Sequence, residues 1–323
     1  MGMNKVFGGM FGLCAAAALA GCLSMREASP TGMSVTFVAA EQERGAIGVY
    51  RARHGDIPET IWLWSAKTDP TVRRSDVRLF GTPDECKLYD DNGLVLMNDS
   101  FGGFAGIDVK TGRCRFYGNA GGNPHSVERL PDGRIAVASS TGATLKIFDV
   151  SEHPLEPEKQ KSVTAMELVG GHGVVWDAQR NALFALGYFK LYELDYDSAT
   201  MSVKVRRSWD YAKACGDEFG HDLLPDGKGG YYFTNHTAVW QIDPETGRIE
   251  KARDLANVKS FSPSVGGDLV AIPRERWWTD TLLVLPHGSS DLKRAHEITL
   301  PGARFYKARR ADGFPKAGAA RHP

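Results

Sequence analysis

From Ser34 onward, short apolar runs rich in Val, Ile, Tyr, Phe and Leu are separated by polar, turn-forming residues. The first runs are SVTFVAA (34–40), AIGVYRA (46–52) and TIWLWSA (60–66), and later ones include LVLMND, RIAVASS, ALFALG, YYFTN and LVAIP. In many of them apolar and polar positions alternate with a period of two, which puts successive side chains on opposite faces of a strand. Gly, Asp, Asn and Pro punctuate the runs, as in PDG (131–133), PDGKGG (225–230) and PETG (244–247). These residues supply the backbone angles of tight turns. No long stretch keeps a helical period, and WDYAKACGDE (209–218) has room for one turn of helix. The pattern predicts an all-β chain.

The strand groups recur. NPHSVERLPDGRIAVAS (123–139), GHGVVWDAQRNALFALG (171–187) and FGHDLLPDGKGGYYFTN (219–235) each set one histidine at the mouth of a hairpin. Taken with lysines in corresponding places, the opening residues are Lys87, His125, His172, His221, Lys259 and Lys307. Lys87 to Lys307 spans 220 residues in five steps, a mean of 44, the period of a four-stranded propeller blade. The next strand starts ten residues after His125, His221 and Lys259, eleven after His172, and only seven after Lys87.

The first group has three strands, and the last is followed by one extra, ARFYKARR (303–310). A ring accounts for both, with the C-terminal strand completing the first blade and leaving no open edge. The expectation is a six-bladed β-propeller over 34–310, with seven blades as the rival count. A two-sheet sandwich gives no reason for the 44-residue interval. The tail, 311–323, reads as disordered.

The segment before the strands changes the picture of location. MGMNKVFGGMFGLCAAAALAGC (1–22) has a positive start at Lys5, an apolar stretch and small residues before a cut, so 1–21 reads as a signal peptide. LAGC (19–22) resembles a bacterial lipobox, which implies lipidation of Cys22, a linker over 22–33 and a firm membrane anchor. Leu23 after that cysteine fits the outer membrane by resemblance to sorting rules. Of five cysteines, Cys86, Cys114 and Cys215 remain, an odd number that cannot all pair within one chain, and Cys86 and Cys114, in strand-like runs, read as buried free thiols. Lys plus Arg equals Asp plus Glu at 39 each, which argues against nucleic acid as a partner. A monomer is expected.

A propeller gathers the inner-strand openers and the loops between second and third strands on one face. That face would combine Lys87, His125, His172, His221, Lys259 and Lys307 with Asn98, Ser139, Tyr188, Asn235, Arg274 and Arg276. Two chemistries fit. In one, His125, His172 and His221 ligate a divalent metal, Zn or Mn, if their nitrogens converge on one point. In the other, the lysines, Arg274 or Arg276 and partly protonated histidines form a positive funnel for an anion, with Trp277 and Trp278 offering a stacking face. No phosphate-binding glycine loop and no GxSxG elbow is present.

NPHSVERLPDGRIAVASSTG (123–142), GHGVVWD (171–177), NDSFGG (98–103) and IWLW (61–64) resemble an uncharacterised family of bacterial propeller lipoproteins. The resemblance implies a secreted six-bladed propeller and brings no activity with it. A looser likeness, of architecture alone, is to propeller polysaccharide lyases. The functional expectation is a membrane-anchored protein binding an anionic ligand, an acidic glycan, in the funnel. The alternatives are a metal-assisted lyase acting by β-elimination, with a His-bound metal or Lys307 neutralising the substrate carboxylate, Lys259 as base and Tyr188 as acid, and a scaffold whose rim holds a protein partner.

Overall fold

A computed structural model of the chain describes residues 34–53, 55–89, 93–274 and 276–314. The expected signal peptide, Cys22 and the expected linker to residue 33 lie outside the described residues, as does the tail from 315. The strands run in chain order as six antiparallel sheets of four. The first three are β1 (Ser34–Glu41), β2 (Ala46–Arg53) and β3 (Glu59–Trp64). The second blade is β4 (Pro83–Tyr89), β5 (Leu94–Asp99), β6 (Gly103–Asp108) and β7 (Arg113–Asn119). The third is β8 (Pro124–Arg129), β9 (Ile135–Ser139), β10 (Thr144–Asp149) and β11 (Lys161–Glu167). The fourth is β12 (Gly173–Asp177), β13 (Ala182–Leu186), β14 (Leu191–Asp197) and β15 (Ser202–Trp209). The fifth is β16 (Asp222–Pro225), β17 (Tyr231–Thr234), β18 (Val239–Asp243) and β19 (Arg248–Arg253). The sixth is β20 (Ser260–Ser262), β21 (Asp268–Ala271), β22 (Thr281–Leu285) and β23 (His296–Thr299).

The last strand, β24 (Phe305–Arg310), pairs with β1 and completes the first sheet in the order β24-β1-β2-β3. It is also bonded to the sixth blade. Phe305 and Thr279 exchange backbone hydrogen bonds of 2.8 and 3.1 Å, and the Ala308 and Arg310 amides donate to the Ser260 and Ser262 hydroxyls. The ring is therefore closed by six blades, with 51% of the chain in strands and 5% in helix. The one α-helix among the described residues, Tyr211–Cys215, falls where the sequence allowed a helical turn.

Each blade is apolar on both faces because each face meets a neighbour. In β5, Val95 and Met97 pack with Ile47 and Trp62 of the first blade, while Leu94 and Leu96 pack with Val127 and Ile135 of the third. Strands buried on both sides read as continuous apolar runs, which is why alternation is clear only in the outer strands. A hydrophobic cluster fills each of the six blade-to-blade interfaces, the first-to-sixth junction being built from Phe37, Tyr50, Leu269, Leu282 and Phe305. The tail departs from expectation at its start. The Ala311 amide donates to Thr36 and the Phe314 ring packs against Trp62, so 311–314 is held against the first blade.

The axis is crossed by charge. Lys307 is 0% exposed, and its Nζ lies 3.2 Å from Glu85 and 3.4 Å from Asp222 while donating to the His125 and His172 carbonyls. Two residues on, Arg309 is bidentate to Asp222 and 2.8 Å from Glu85. Burial opposes ionisation of Asp222, but Arg309 and Lys307 outweigh it and hold the carboxyl at about 2. The cations come from the closing strand and the carboxylates from the second and fifth blades. Removing one member strands the others in a dry interior. Lys307→Ala is therefore expected to cost ~3–5 kcal/mol, read as a shift in urea unfolding; a loss below ~1 kcal/mol would mean the axis holds without its ammonium.

Candidate functional site

Register shows which residues share a layer at the channel mouth. The amides of His172, His221 and Lys259 make the same hydrogen bond, to the last residue of the neighbouring strand, at 2.9 Å in each blade. In the other three blades the corresponding residue sits in a bulge. These are His125 between Pro124 and Ser126, Asp84 between Pro83 and Glu85, and Tyr306 opposite the shift between Ala39 and Glu41. The layer is thus Asp84, His125, His172, His221, Lys259 and Tyr306, and two of the expected openers are corrected. Lys87 lies three residues deeper, and Lys307 one. Asp84 precedes β5 by ten residues, the spacing seen in the other blades, so the sequence did carry its signal.

The layer is tightly stacked. The His125 and His172 rings are parallel with centroids 4.3 Å apart, His125 is 5.5 Å from Tyr306, and His172 is 5.4 Å from His221. Lys259 Nζ is 2.9 Å from His221 Nε2 and 3.3 Å from Nδ1. Asp84 accepts from Ser100 at 2.7 Å and from Gln42 at 3.2 Å, and is 3.9 Å from His125 Nδ1. That nitrogen is buried and has no hydrogen-bond partner. Above the layer, Tyr188 packs on His172, Phe219 on Tyr188, and His236 on both Phe219 and His221. The Trp277 ring, 61% exposed, lies 5.7 Å from Lys259 Nζ.

Local sequence explains the placement of two of these groups. Gly170 has φ of +61° and a Cβ there would meet the Tyr188 ring at 2.2 Å, so only glycine lets the tyrosine lie across it. The Gly170 carbonyl then accepts from His172 Nδ1 at 2.9 Å and fixes that imidazole.

Burial sets the protonation states. It drives His125 and His221 well below the ordinary imidazole range and His172 down to about 3, helped by Lys259 and Lys307. The imidazoles are neutral. Burial, with Lys307 behind, lowers Lys259 to about 8. It also raises Asp84 well above the usual carboxylate value and, with Asp84 nearby, raises Tyr306.

The three imidazoles meet, but not as ligands of one ion. Parallel rings this close leave their in-plane lone pairs unable to point at a metal between them. The Lys259 amine already lies against His221. Among the described residues, no group of three or more His, Cys, Asp or Glu is placed to hold a metal. The Zn or Mn expectation therefore has no geometry behind it.

The remaining expected site residues divide. Lys87 faces the opposite mouth, bonded to Glu128 at 3.0 Å and the Val174 carbonyl at 2.6 Å, in a cleft of about 380 Å³ with Arg309 and Trp176. Lys307 is consumed by the axial charge network. Ser139 donates to the Gly121 carbonyl, and Asn235 Oδ1 accepts from Thr237, Ala238 and Trp240, so both serve the loops. Asn98 is buried in β5 with neither amide atom partnered. Arg274 pairs with Glu297 and lines a cleft of about 500 Å³ with Trp278 and Arg304, to one side of the axis. Arg276 is exposed with φ of +46°. Sequence reasoning missed Asp84, Tyr306 and Phe219.

A family of unknown function, DUF6528, matches residues 3–312. No curated protein matches the sequence. A protein of unknown function from Bacteroides caccae superposes with a TM-score of 0.55 at 13% identity, covering 86% of this chain and 98% of that one. The WD40 β-propeller domain of Doa1 superposes with a TM-score of 0.51 at 12% identity, covering 83% of this chain and 80% of that one. At these identities the likeness is one of fold.

Neutral imidazoles can be counted in solution. In an NMR titration, His125, His172 and His221 are expected to show no midpoint between about pH 5 and 8, where an exposed imidazole titrates near 6.5. Because their folded values lie below the unfolded one, the unfolded chain binds more protons in acid, and stability falls as pH drops below about 6.5. A midpoint near 6.5 for His172 would contradict the packing described.

Proposed function

The chain belongs to the DUF6528 family of unknown function, and we propose that this propeller binds an anionic ligand, an acidic glycan, at the mouth formed by Lys259, His221, His172 and Trp277. One observation carries the reading. Lys259 is 6% exposed, and among the described residues its ammonium is held by His221 and by no carboxylate. A buried ammonium is normally paired, and the missing partner is what a ligand carboxylate would supply. The surroundings suit a sugar acid. Trp277, Phe219 and Tyr188 give flat apolar faces, and the neutral imidazoles and Asp84 give hydrogen-bonding groups that add no competing charge. A lipid on Cys22 would tether the protein to a membrane, where such polymers are met.

A second reading has its own support. Phe101, Val169, Phe189 and Trp277 are exposed large apolar residues on connections that open to this same face. A protein partner docking there would cover them.

Isothermal titration with uronic-acid oligosaccharides checks the first reading. Lys259→Ala is expected to weaken binding by about ten- to a hundredfold, the loss of one charge-assisted hydrogen bond. Affinity should be full below the Lys259 value of about 8 and fall as pH rises through it, since the amine then loses its charge. Binding that ignores both the substitution and the pH would leave the docking reading. New absorbance from an unsaturated uronate, lost in Lys259→Ala, would favour the lyase reading with Lys259 as the base.

A further inference from the structure

We infer that Lys259 is also a nucleophile, forming an imine with the carbonyl carbon of an anionic aldehyde or 2-oxo acid while His221 carries the proton. The inference rests on the anion-binding reading for the ligand's carboxylate and goes beyond it in the bond that forms.

Four observations support it. The amine lies 2.9 and 3.3 Å from the two His221 nitrogens, so the imidazole that would relay the proton is in direct contact with it. Among the described residues no carboxylate clamps the side chain as an ion pair, in contrast to Lys87 and Lys307. Burial and the through-space charge of another cation, Lys307, both favour the uncharged amine. Desolvation beside a second cation is the arrangement that activates a lysine toward carbonyl carbon. Finally, the Trp277 ring lies 5.7 Å from the amine and gives a bound carbonyl compound an apolar wall beside it.

The step balances without a further reagent. The uncharged amine adds to the carbonyl carbon, forming the C–N bond as the carbonyl pair moves to oxygen. The two amine protons, passed one at a time through His221, leave with that oxygen as one water, and the C–N bond becomes C=N. Nothing is oxidised or reduced. Protonation of the imine restores a cation beside the ligand's carboxylate.

The test uses glyoxylate with cyanoborohydride, which reduces the imine to a stable secondary amine, followed by peptide mass spectrometry of the full chain. Lys259 is expected to be labelled at least about tenfold faster than the exposed Lys110 and Lys228, as an activated lysine should be. Lys259→Arg keeps the charge and should abolish that label, and His221→Gln should slow it with Lys259 still present. If either variant misfolds, protection of wild-type Lys259 by a uronic-acid methyl glycoside, whose carbonyl is locked, serves the same end. Titration with that glycoside reads anion binding alone. Binding without preferential labelling overturns the nucleophile and leaves the anion site standing; absence of both overturns both. Labelling spread evenly over surface lysines also overturns it.

Discussion

Everything in this molecule depends on where the closing strand puts its charge. Lys307 and Arg309 enter on β24 and meet Glu85 and Asp222 from blades on either side of the axis. Apolar packing between blades is non-directional and would tolerate some sliding of one sheet on the next. A buried ammonium bonded to a carboxylate and two carbonyls does not tolerate it, because every displaced contact leaves a desolvated charge or dipole unmet. Ring closure and axial electrostatics are in this sense one device.

The same device shapes the mouth above it. With Lys307 crossing the axis, the two ends of the channel become separate pockets of different chemistry. One holds Lys87 paired with Glu128; the other holds Lys259 against His221. Burial, with the charge beneath the upper layer adding to it, keeps the imidazoles neutral and lowers the Lys259 amine to about 8. A lysine that is buried, close to neutrality and lacking a carboxylate partner can act as an anion receptor and as a nucleophile, and both roles come from the field of Lys307 and the loss of water.

Much of the architecture was legible in the chain. Strands packed between neighbours must be apolar and short, turns must carry Gly, Asp and Pro, and a period near forty-four residues has few architectural meanings. The unmatched strands at the two ends implied closure, since an open propeller would leave an unpaired edge. The histidine phrases marked three inner strands in the same register, and their rings do meet. What local pattern did not disclose was the layer. Bulges at Asp84, His125 and Tyr306 shift the register by one residue, which moves Lys307 into the axis and puts Tyr306 at the mouth.

The sequence by itself determined the strands, their repeat, the six-fold ring and the neighbourhood of His125, His172, His221 and Lys259, because periodicity and turn chemistry are local properties that survive in one dimension. Only the tertiary structure decided which charges neutralise one another and which remains unmatched. Pairing across the axis joins residues more than two hundred positions apart, as Glu85 and Lys307 are. It depends on distances of a few ångströms and on the exclusion of water, neither of which leaves a mark in the order of the residues.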